Sequence, residues 1–244
     1  MDDHPNQNGL YRAGAVSAVV IVIVFLIEMV VILAFGLPAS TAEAWFAVLQ
    51  RNRFVGLIQT LGLDLVAVAF HAPLYLALFF FLRQVKKHSA ALLLSLVFSL
   101  IGISVYFASN VTFSMLYLSD QFSAAATEIQ KAQILTSGQT MMAIYNGTGP
   151  FVAFLLYAVA GILVSIVMLR GGLFAPWIGI LGMIGNILEL GLPPALDPAF
   201  FLRIDPILIG VGGAVLLVWY VAIAVKLFRV SARGALVPAQ QVSG

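Results

Sequence analysis

Three ionisable residues lie inside long apolar runs of this 244-residue sequence. The helices that these runs form must place each ionisable side chain beside a polar partner or in contact with water. Glu28 interrupts the first apolar run, while Asp64 and His71 both lie in the second. A charged side chain in hydrocarbon costs about 2.5–3.5 kcal/mol, so such groups face a partner or a water-filled cavity. If Glu28 and Asp64 approach each other, the carboxyl pair holds a proton at neutral pH. Proton-coupled transporters and hydrogen-bonding ligand pockets both use this chemistry.

The second apolar run, residues 54–82, is long enough to cross a bilayer as one helix. At about 100° per residue, one face of this helix carries a polar stripe that contains Thr60, Asp64, His71 and Tyr75. Arg53, directly before the run, would project at nearly the same angle around the helix axis as this stripe. The stripe predicts that this helix faces polar residues across a bundle or lines a cavity.

The composition indicates an integral membrane protein. Hydrophobic residues make up 62% of the chain and charged residues 9%, whereas soluble domains have about a quarter charged residues. Most of the chain is therefore expected to face lipid. The absence of cysteine excludes disulfides, thiolate metal sites and a cysteine nucleophile.

Six apolar segments are long enough to cross a bilayer, at residues 13–35, 54–82, 90–118, 150–169, 173–190 and 206–227. They predict an all-α integral membrane protein, a bundle of six transmembrane helices. The expected organisation is an N-terminal tail, a membrane domain and a disordered C-terminal tail, at residues 1–12, 13–228 and 229–244.

Two further segments are expected to form interfacial helices on the outer face. The first begins at Ser40 or Thr41 as the N-terminal cap, and Trp45 is expected to anchor it among lipid headgroups. The second is the hydrophilic region 119–149, which is too long for a bare loop and predicts a helical hairpin interrupted at Gly138.

The basic residues favour cytoplasmic termini. With that orientation, the inner side holds eight Lys and Arg residues, namely Arg12, Arg83, Lys86, Lys87, Arg170, Lys226, Arg229 and Arg233. The outer side holds four, namely Arg51, Arg53, Lys131 and Arg203. Only Lys226 lies within a predicted span, one residue before the cytoplasmic end of the sixth, so the acids in the outer half have no basic partner except His71.

Polar residues of four spans lie at similar heights in the outer half of the predicted bundle. They predict a pocket that opens outward between spans 1, 2, 3 and 5 and is lined by Glu28, Asp64, Tyr106, Asn110, Asn186 and Glu189. His71 lies deeper, and Arg53 and Arg203 at the mouth are placed to gather an anionic headgroup. The alternative is that the polar side chains only hydrogen-bond between helices, while the arginines anchor loops.

The residue types argue against several functional classes. Three histidines, His4, His71 and His88, are too few and too far apart for a zinc centre. The chain has no phosphate-binding glycine loop and no nucleophile elbow. We therefore predict no metal, no cofactor and no nucleic-acid partner, and catalysis is less favoured than binding.

Three stretches resemble a bacterial family of six-span membrane proteins, the domain-of-unknown-function family numbered four-three-eight-six. They are YFASN, LYLSDQFSAAATEIQKAQIL and YNGTGPFVAFLLYAVAGILVSIVMLR, at residues 106–110, 116–135 and 145–170. Members share the asparagine that is Asn110 here, the alanine-rich outer helix and a run similar to residues 144–149. The resemblance implies a bacterial inner-membrane location. It implies no activity and no catalytic residue.

The favoured function is binding or transport of a small or lipidic molecule through the outer pocket. A structural or accessory membrane protein without a ligand site is the alternative. A membrane-embedded enzyme that uses Glu28, Asp64 or His71 as acid–base groups ranks third. The expected partners are the lipid bilayer and this ligand, and the sequence leaves the oligomeric state open.

Overall fold

The computed structural model describes residues 5–36, 41–60, 62–84, 89–189 and 198–235. These residues form ten helices: α1 (Pro5–Phe35), α2 (Ala42–Arg51), α3 (Arg53–Gln59), α4 (Asp64–Leu82), α5 (Ser89–Ser109), α6 (Thr112–Ala124), α7 (Glu128–Tyr145), α8 (Thr148–Gly171), α9 (Pro176–Glu189) and α10 (Pro198–Ala235). The prediction of an all-α chain is confirmed for this part of the protein.

Five described helical segments are long and apolar enough to cross a membrane, at Gln7–Phe35, Asp64–Leu82, Ala90–Ala124, Glu128–Gly171 and Gly210–Ala232. The apolar helix α9 has 14 residues and is shorter than a usual span. The described residues are therefore compatible with a multi-pass membrane protein. The number of six spans stays a prediction.

The terminal helices are longer than the sequence predicts. Helix α1 begins at Pro5 rather than at residue 13, and it ends before Gly36, whose φ of 76° suits glycine. Helix α10 continues to Ala235, so residues 229–235 are helical rather than disordered. Outside the described residues lie Ser40, His4, His88 and residues 236–244.

The prediction of one continuous helix over residues 54–82 is wrong. The run is divided into α3 and α4 by a turn that includes Thr60 and Gly62. The Thr60 hydroxyl donates to Gly56 O at 2.9 Å, and the amide of Gly62 donates to Leu57 O at 2.7 Å. The carbonyl of Thr60 accepts from Thr112 Oγ1 at 2.6 Å instead of continuing the helix.

The third predicted span is also divided, into α5 and α6. Asn110 stands in the gap, and its Oδ1 accepts from the amide of Thr112 at 3.1 Å, which satisfies a backbone donor at the start of α6. Tyr117, in α6 beyond this gap, is 64% exposed.

Helix α7 passes through Gly138 without a break, so the predicted interruption there is wrong. A Cβ at this position would lie 2.8 Å from Phe46 Cζ and 2.9 Å from Ala42 Cβ. The glycine therefore serves close packing against α2 rather than helix termination. The hairpin is formed instead by α6 and α7, which pack against each other, and a capping box of Thr127 and Gln130 begins α7.

The chain contacts divide the protein into two compact units. The first unit consists of Met1–Val22, Phe70–Gly102 and Phe154–Gly244, and the second unit consists of Ile23–Ala69 and Ile103–Ala153. Each unit carries one buried polar cluster.

In the second unit, α2 packs against α6 and α7 around an apolar core of Ala42, Trp45, Phe46, Leu49, Val111, Met115 and Met142. Thr41 caps α2 by accepting from the amide of Ala44, as one of the two predicted caps does. The predicted headgroup anchor is wrong, because Trp45 is only 3% exposed. Its ring centroid lies 5.0 Å from that of Tyr145.

In the first unit, small residues bring α8, α9 and α10 close together. A Cβ on Gly161 would overlap the side-chain amide of Asn186, and a Cβ on Gly182 would overlap Ser165 Oγ and approach Trp219 Nε1 to 2.5 Å. Small residues at such contacts let membrane helices approach closely. Gly161 and Ser165 of α8 therefore face Asn186 and Gly182 of α9.

Candidate functional site

The carboxyl groups of Glu28 and Asp64 meet in the second unit. Glu28 lies in α1, Asp64 is the first residue of α4, and their carboxyl groups lie within hydrogen-bonding range of each other. The sequence predicts that these acids lie at the same height, and the structure brings them into direct contact. Neither acid forms an ion pair with a described residue.

Tyr106 and Asn110 extend this pair into a polar cluster. The Tyr106 hydroxyl donates to Asp64 Oδ2 at 3.1 Å, and the Asn110 side chain is hydrogen-bonded to Tyr106. Tyr145 of α7 also lies within electrostatic range of Asp64. We call Glu28, Asp64, Tyr106 and Asn110 the acid cluster.

Two helix interruptions lie beside the acid cluster. Asp64 immediately follows the turn between α3 and α4, and Asn110 stands between α5 and α6. The hydrogen bond from Thr112 Oγ1 to Thr60 O joins these interruptions directly. Non-helical backbone at membrane depth occurs where it is buried in protein or lines a cavity, and discontinuous helices build many transporter sites.

The polar groups of the acid cluster are largely removed from water, so each buried oxygen loses hydration energy unless it forms a hydrogen bond. Glu28 is 7% exposed, Tyr106 is 4% exposed, and Asp64 is half-buried. Glu28 Oε1 has no hydrogen-bonding partner among the described residues. A buried carboxyl oxygen without a donor loses the free energy of hydration, so this atom is an acceptor that no described residue satisfies.

Asp64 also occupies a favourable electrostatic position. It stands in the first turn of α4, where the helix presents backbone amides and a partial positive charge. This position stabilises negative charge on Asp64 more than on Glu28, which lies in the interior of α1. The two carboxyl groups are therefore chemically unequal although they lie within hydrogen-bonding range of each other.

A groove of about 590 Å³ occurs in the same unit. Residues of α5, α7 and the start of α8 line it, namely Val105, Ala108, Ser109, Thr140, Ala143, Ile144, Gly147, Thr148 and Gly149. Its size falls within the range of small-molecule sites, and its walls combine small apolar side chains with three hydroxyls.

His71 belongs to the first unit, where it forms a second polar cluster with aromatic residues. Its Nε2 and the Tyr220 hydroxyl share a hydrogen bond of 2.9 Å. Three tyrosine rings surround the imidazole, with ring centroids 5.5 Å away for Tyr157, 5.7 Å for Tyr220 and 6.3 Å for Tyr75. We call these four residues the histidine cluster.

The two predicted site residues of α9 also lie in the first unit. Glu189 interacts electrostatically with Tyr75 and Tyr220 of the histidine cluster. Asn186 is buried, donates from Nδ2 to Gly182 O at 2.7 Å, and covers Gly161. Asn186 therefore has an evident packing role within the first unit.

The predicted arginines have separate positions. Arg53 donates from Nη2 to Asp120 Oδ1 at 2.6 Å, and both side chains are largely exposed. This surface pair links α3 to α6 and satisfies the guanidinium that the sequence assigns to a headgroup. The side chain of Arg203 lies outside the described residues.

Sequence reasoning missed three contributors to this arrangement. Tyr220, the partner of His71, stands in an apolar helix without a polar stripe to indicate its face. Asp120 carries no signal of pairing with Arg53, which is 67 residues away. Thr112 did have a local signal, because Asn110 two residues earlier is typical of a side chain that caps a new helix.

Metal binding has no support in the described residues, where no group of three or more histidine, aspartate or glutamate side chains is placed to hold an ion. Comparison with known proteins finds no family model, no curated protein and no solved structure that matches the chain. The resemblance to the family of unknown function stays a prediction.

Proposed function

We propose that this chain is a multi-pass membrane protein that binds or transports a small or lipidic molecule at the acid cluster. The observation that carries the proposal is the contact of Glu28 and Asp64 beside two interrupted helices. Ionisable residues within membrane segments usually mark functional sites, because a purely structural role seldom offsets the cost of their burial.

The ligand would contact the acid cluster through a hydrogen-bond donor, such as a hydroxyl or an amine. Glu28 Oε1 supplies the acceptor, since no described residue donates to it. A groove of small-molecule size, lined by Val105 and Ser109 among others, occurs in the same unit, although no acid-cluster residue lines it. The proposal includes a bacterial inner-membrane location with cytoplasmic termini, which the family resemblance and the distribution of basic residues favour.

A structural or accessory role is the second candidate, and it rests on the first unit. Asn186 covers Gly161, and Ser165 packs at Gly182, so these polar residues serve helix packing. The same explanation does not extend to Glu28, because it is an ionisable side chain buried in an apolar helix, whereas Ser165 is uncharged. The acid cluster therefore favours binding over assembly alone.

Native mass spectrometry of the protein purified in mild detergent tests the proposal. We expect a retained small-molecule mass on the wild-type protein that is lost in Asp64→Asn and Glu28→Gln. The matched control is Glu128→Gln, which alters a side chain that is 87% exposed and should retain the adduct. Identical adducts on all four proteins, or no adduct on the wild type, would contradict a ligand site at the acid cluster.

A further inference from the structure

We propose that Glu28 and Asp64 form a proton-binding site in which the two carboxyl groups share one exchangeable proton. This inference rests on the proposed function because it names the coupling ion of the same site. It concerns protonation only, and so it is testable without knowing the ligand.

Hydrogen-bond chemistry requires the proton. An ionised carboxylate only accepts hydrogen bonds, so two carboxyl groups bond to each other only when one of them carries an O–H. The carboxyl groups of Glu28 and Asp64 lie within range of such a bond, and Glu28 is buried. Two ionised carboxylates this close in a buried position would repel each other, so the pair favours one shared proton. The bonded state therefore holds one proton and a net charge of minus one across the pair.

No cation among the described residues substitutes for this proton. The titratable groups that face the pair from neighbouring helices are the hydroxyls of Tyr106 on α5 and Tyr145 on α7. Phenolic hydroxyls are neutral at physiological pH, and the Asn110 amide does not titrate. The described ion pairs are Arg53 with Asp120 and Lys131 with Glu128, and neither includes these acids.

The surroundings also distinguish the two protonation states. Tyr106 donates to Asp64 Oδ2, and this bond stabilises the partner that keeps the negative charge. The start of α4 acts in the same sense on Asp64. The proton is therefore assigned to the Glu28 side of the pair, which leaves Asp64 as the acceptor of both hydrogen bonds.

Proton exchange at this site requires only water as the proton donor and acceptor, so atoms and charge balance. A hydronium ion transfers its proton to one carboxylate oxygen, so that one O–H bond forms and one water molecule is released. Release of the proton reverses the step, returns the proton to water and leaves the pair with a charge of minus two. No electron transfer and no other covalent bond is involved.

Infrared difference spectroscopy of the protein in lipid nanodiscs tests the inference. The carbonyl stretch of a protonated carboxyl group lies above the amide bands and shifts on exchange into deuterium oxide. We expect a band at neutral pH that corresponds to one protonated carboxyl, persists when choline chloride replaces sodium chloride, and disappears in the Glu28→Gln/Asp64→Asn double variant. Glu128→Gln should leave it unchanged, because that side chain is exposed.

The single variants Glu28→Gln and Asp64→Asn keep the test decisive if the double variant fails to fold. Each should shift or remove the band, because each eliminates the hydrogen bond between two carboxyl groups. A wild-type protein without the band, a band unchanged in both single variants, or a band abolished by sodium chloride would overturn the inference. The protonation result is separate from the ligand result, since a protein with the band but no retained ligand would contradict only the proposed function.

Discussion

The Tyr106 hydroxyl donates a 3.1 Å hydrogen bond to Oδ2 of Asp64, and this bond joins the last turn of α5 to the first residue of α4. Asp64 directly follows the turn between α3 and α4, and Tyr106 lies four residues before Asn110, which separates α5 from α6. The bond therefore fixes the orientation of Asp64 toward Glu28. Without it, the carboxyl group of Asp64 would lose one of the donors that compensate for its partial burial.

Tyr106→Phe should lower the free energy of unfolding by about 1–3 kcal/mol, because it removes a donor to a carboxyl oxygen while keeping the ring. Thermal unfolding in detergent measures the change. Tyr117→Phe is the matched control, since Tyr117 is 64% exposed and should change stability by less than about 0.5 kcal/mol. Equal effects of the two substitutions would contradict a specific role for the Tyr106 hydroxyl.

Thr112→Val should destabilise the protein by about 1–2 kcal/mol, because it removes the 2.6 Å hydrogen bond that joins the two helix interruptions and leaves Thr60 O without this donor. It should also weaken retention of the proposed ligand. Thr136→Val is the control. Its hydroxyl is exposed and bonds only within its own helix, to Ala132 O. If Thr112→Val matched Thr136→Val in stability and ligand retention, the junction would have no special role.

Gly161→Ala should cost about 1–3 kcal/mol, because the added methyl group overlaps the side chain of Asn186. Asn186→Ala should cost less in the Gly161→Ala background than in the wild type, and a double-mutant cycle of thermal stability measures this coupling. Gly213→Ala is the control, since a Cβ there meets no atom within 4 Å and alanine favours a helix. Additive effects at positions 161 and 186 would contradict the packing described for α8 and α9.

Arg53→Gln should change stability by less than about 1 kcal/mol and should leave ligand retention at the acid cluster unchanged. The reason is that Arg53 pairs with Asp120 on an exposed surface, where water and salt screen the interaction. Urea unfolding at low and high salt checks this, and Asp120→Asn should give a similar result. A large loss of ligand retention in Arg53→Gln would instead support its predicted role in holding an anionic headgroup.

The sequence predicted where the apolar segments lie, because length and hydropathy decide them, but it did not predict that two of these segments are divided. It also predicted that Glu28 and Asp64 could approach each other, because both lie within apolar segments at comparable distances from the segment ends. The helix cap at Thr41 and the turn at Gly36 are also indicated by residue type alone, since threonine favours a helix N-cap and glycine favours a positive φ.

The interruption at Thr60 was not predictable in the same way, whereas the one beside Asn110 had only the weak local signal of the asparagine itself. Neither site contains proline, and each depends on a hydrogen bond to a residue distant in sequence or on a side chain that competes with the helix. Long-range pairs such as His71 with Tyr220 depend on helix rotation and packing, which a single sequence does not determine. Gly138 illustrates the opposite error, because a glycine that serves close packing looks like a helix breaker.

An experimental density map of the protein in lipid nanodiscs tests the central claim most directly, because it locates both carboxyl groups and any molecule that contacts them. We predict that Glu28 and Asp64 lie within hydrogen-bonding distance, that Tyr106 contacts Asp64, and that non-protein density lies beside Glu28 Oε1. A map in which Asp64 faces the acyl chains, or in which the two acids are separated and no ligand density lies beside them, would contradict the account.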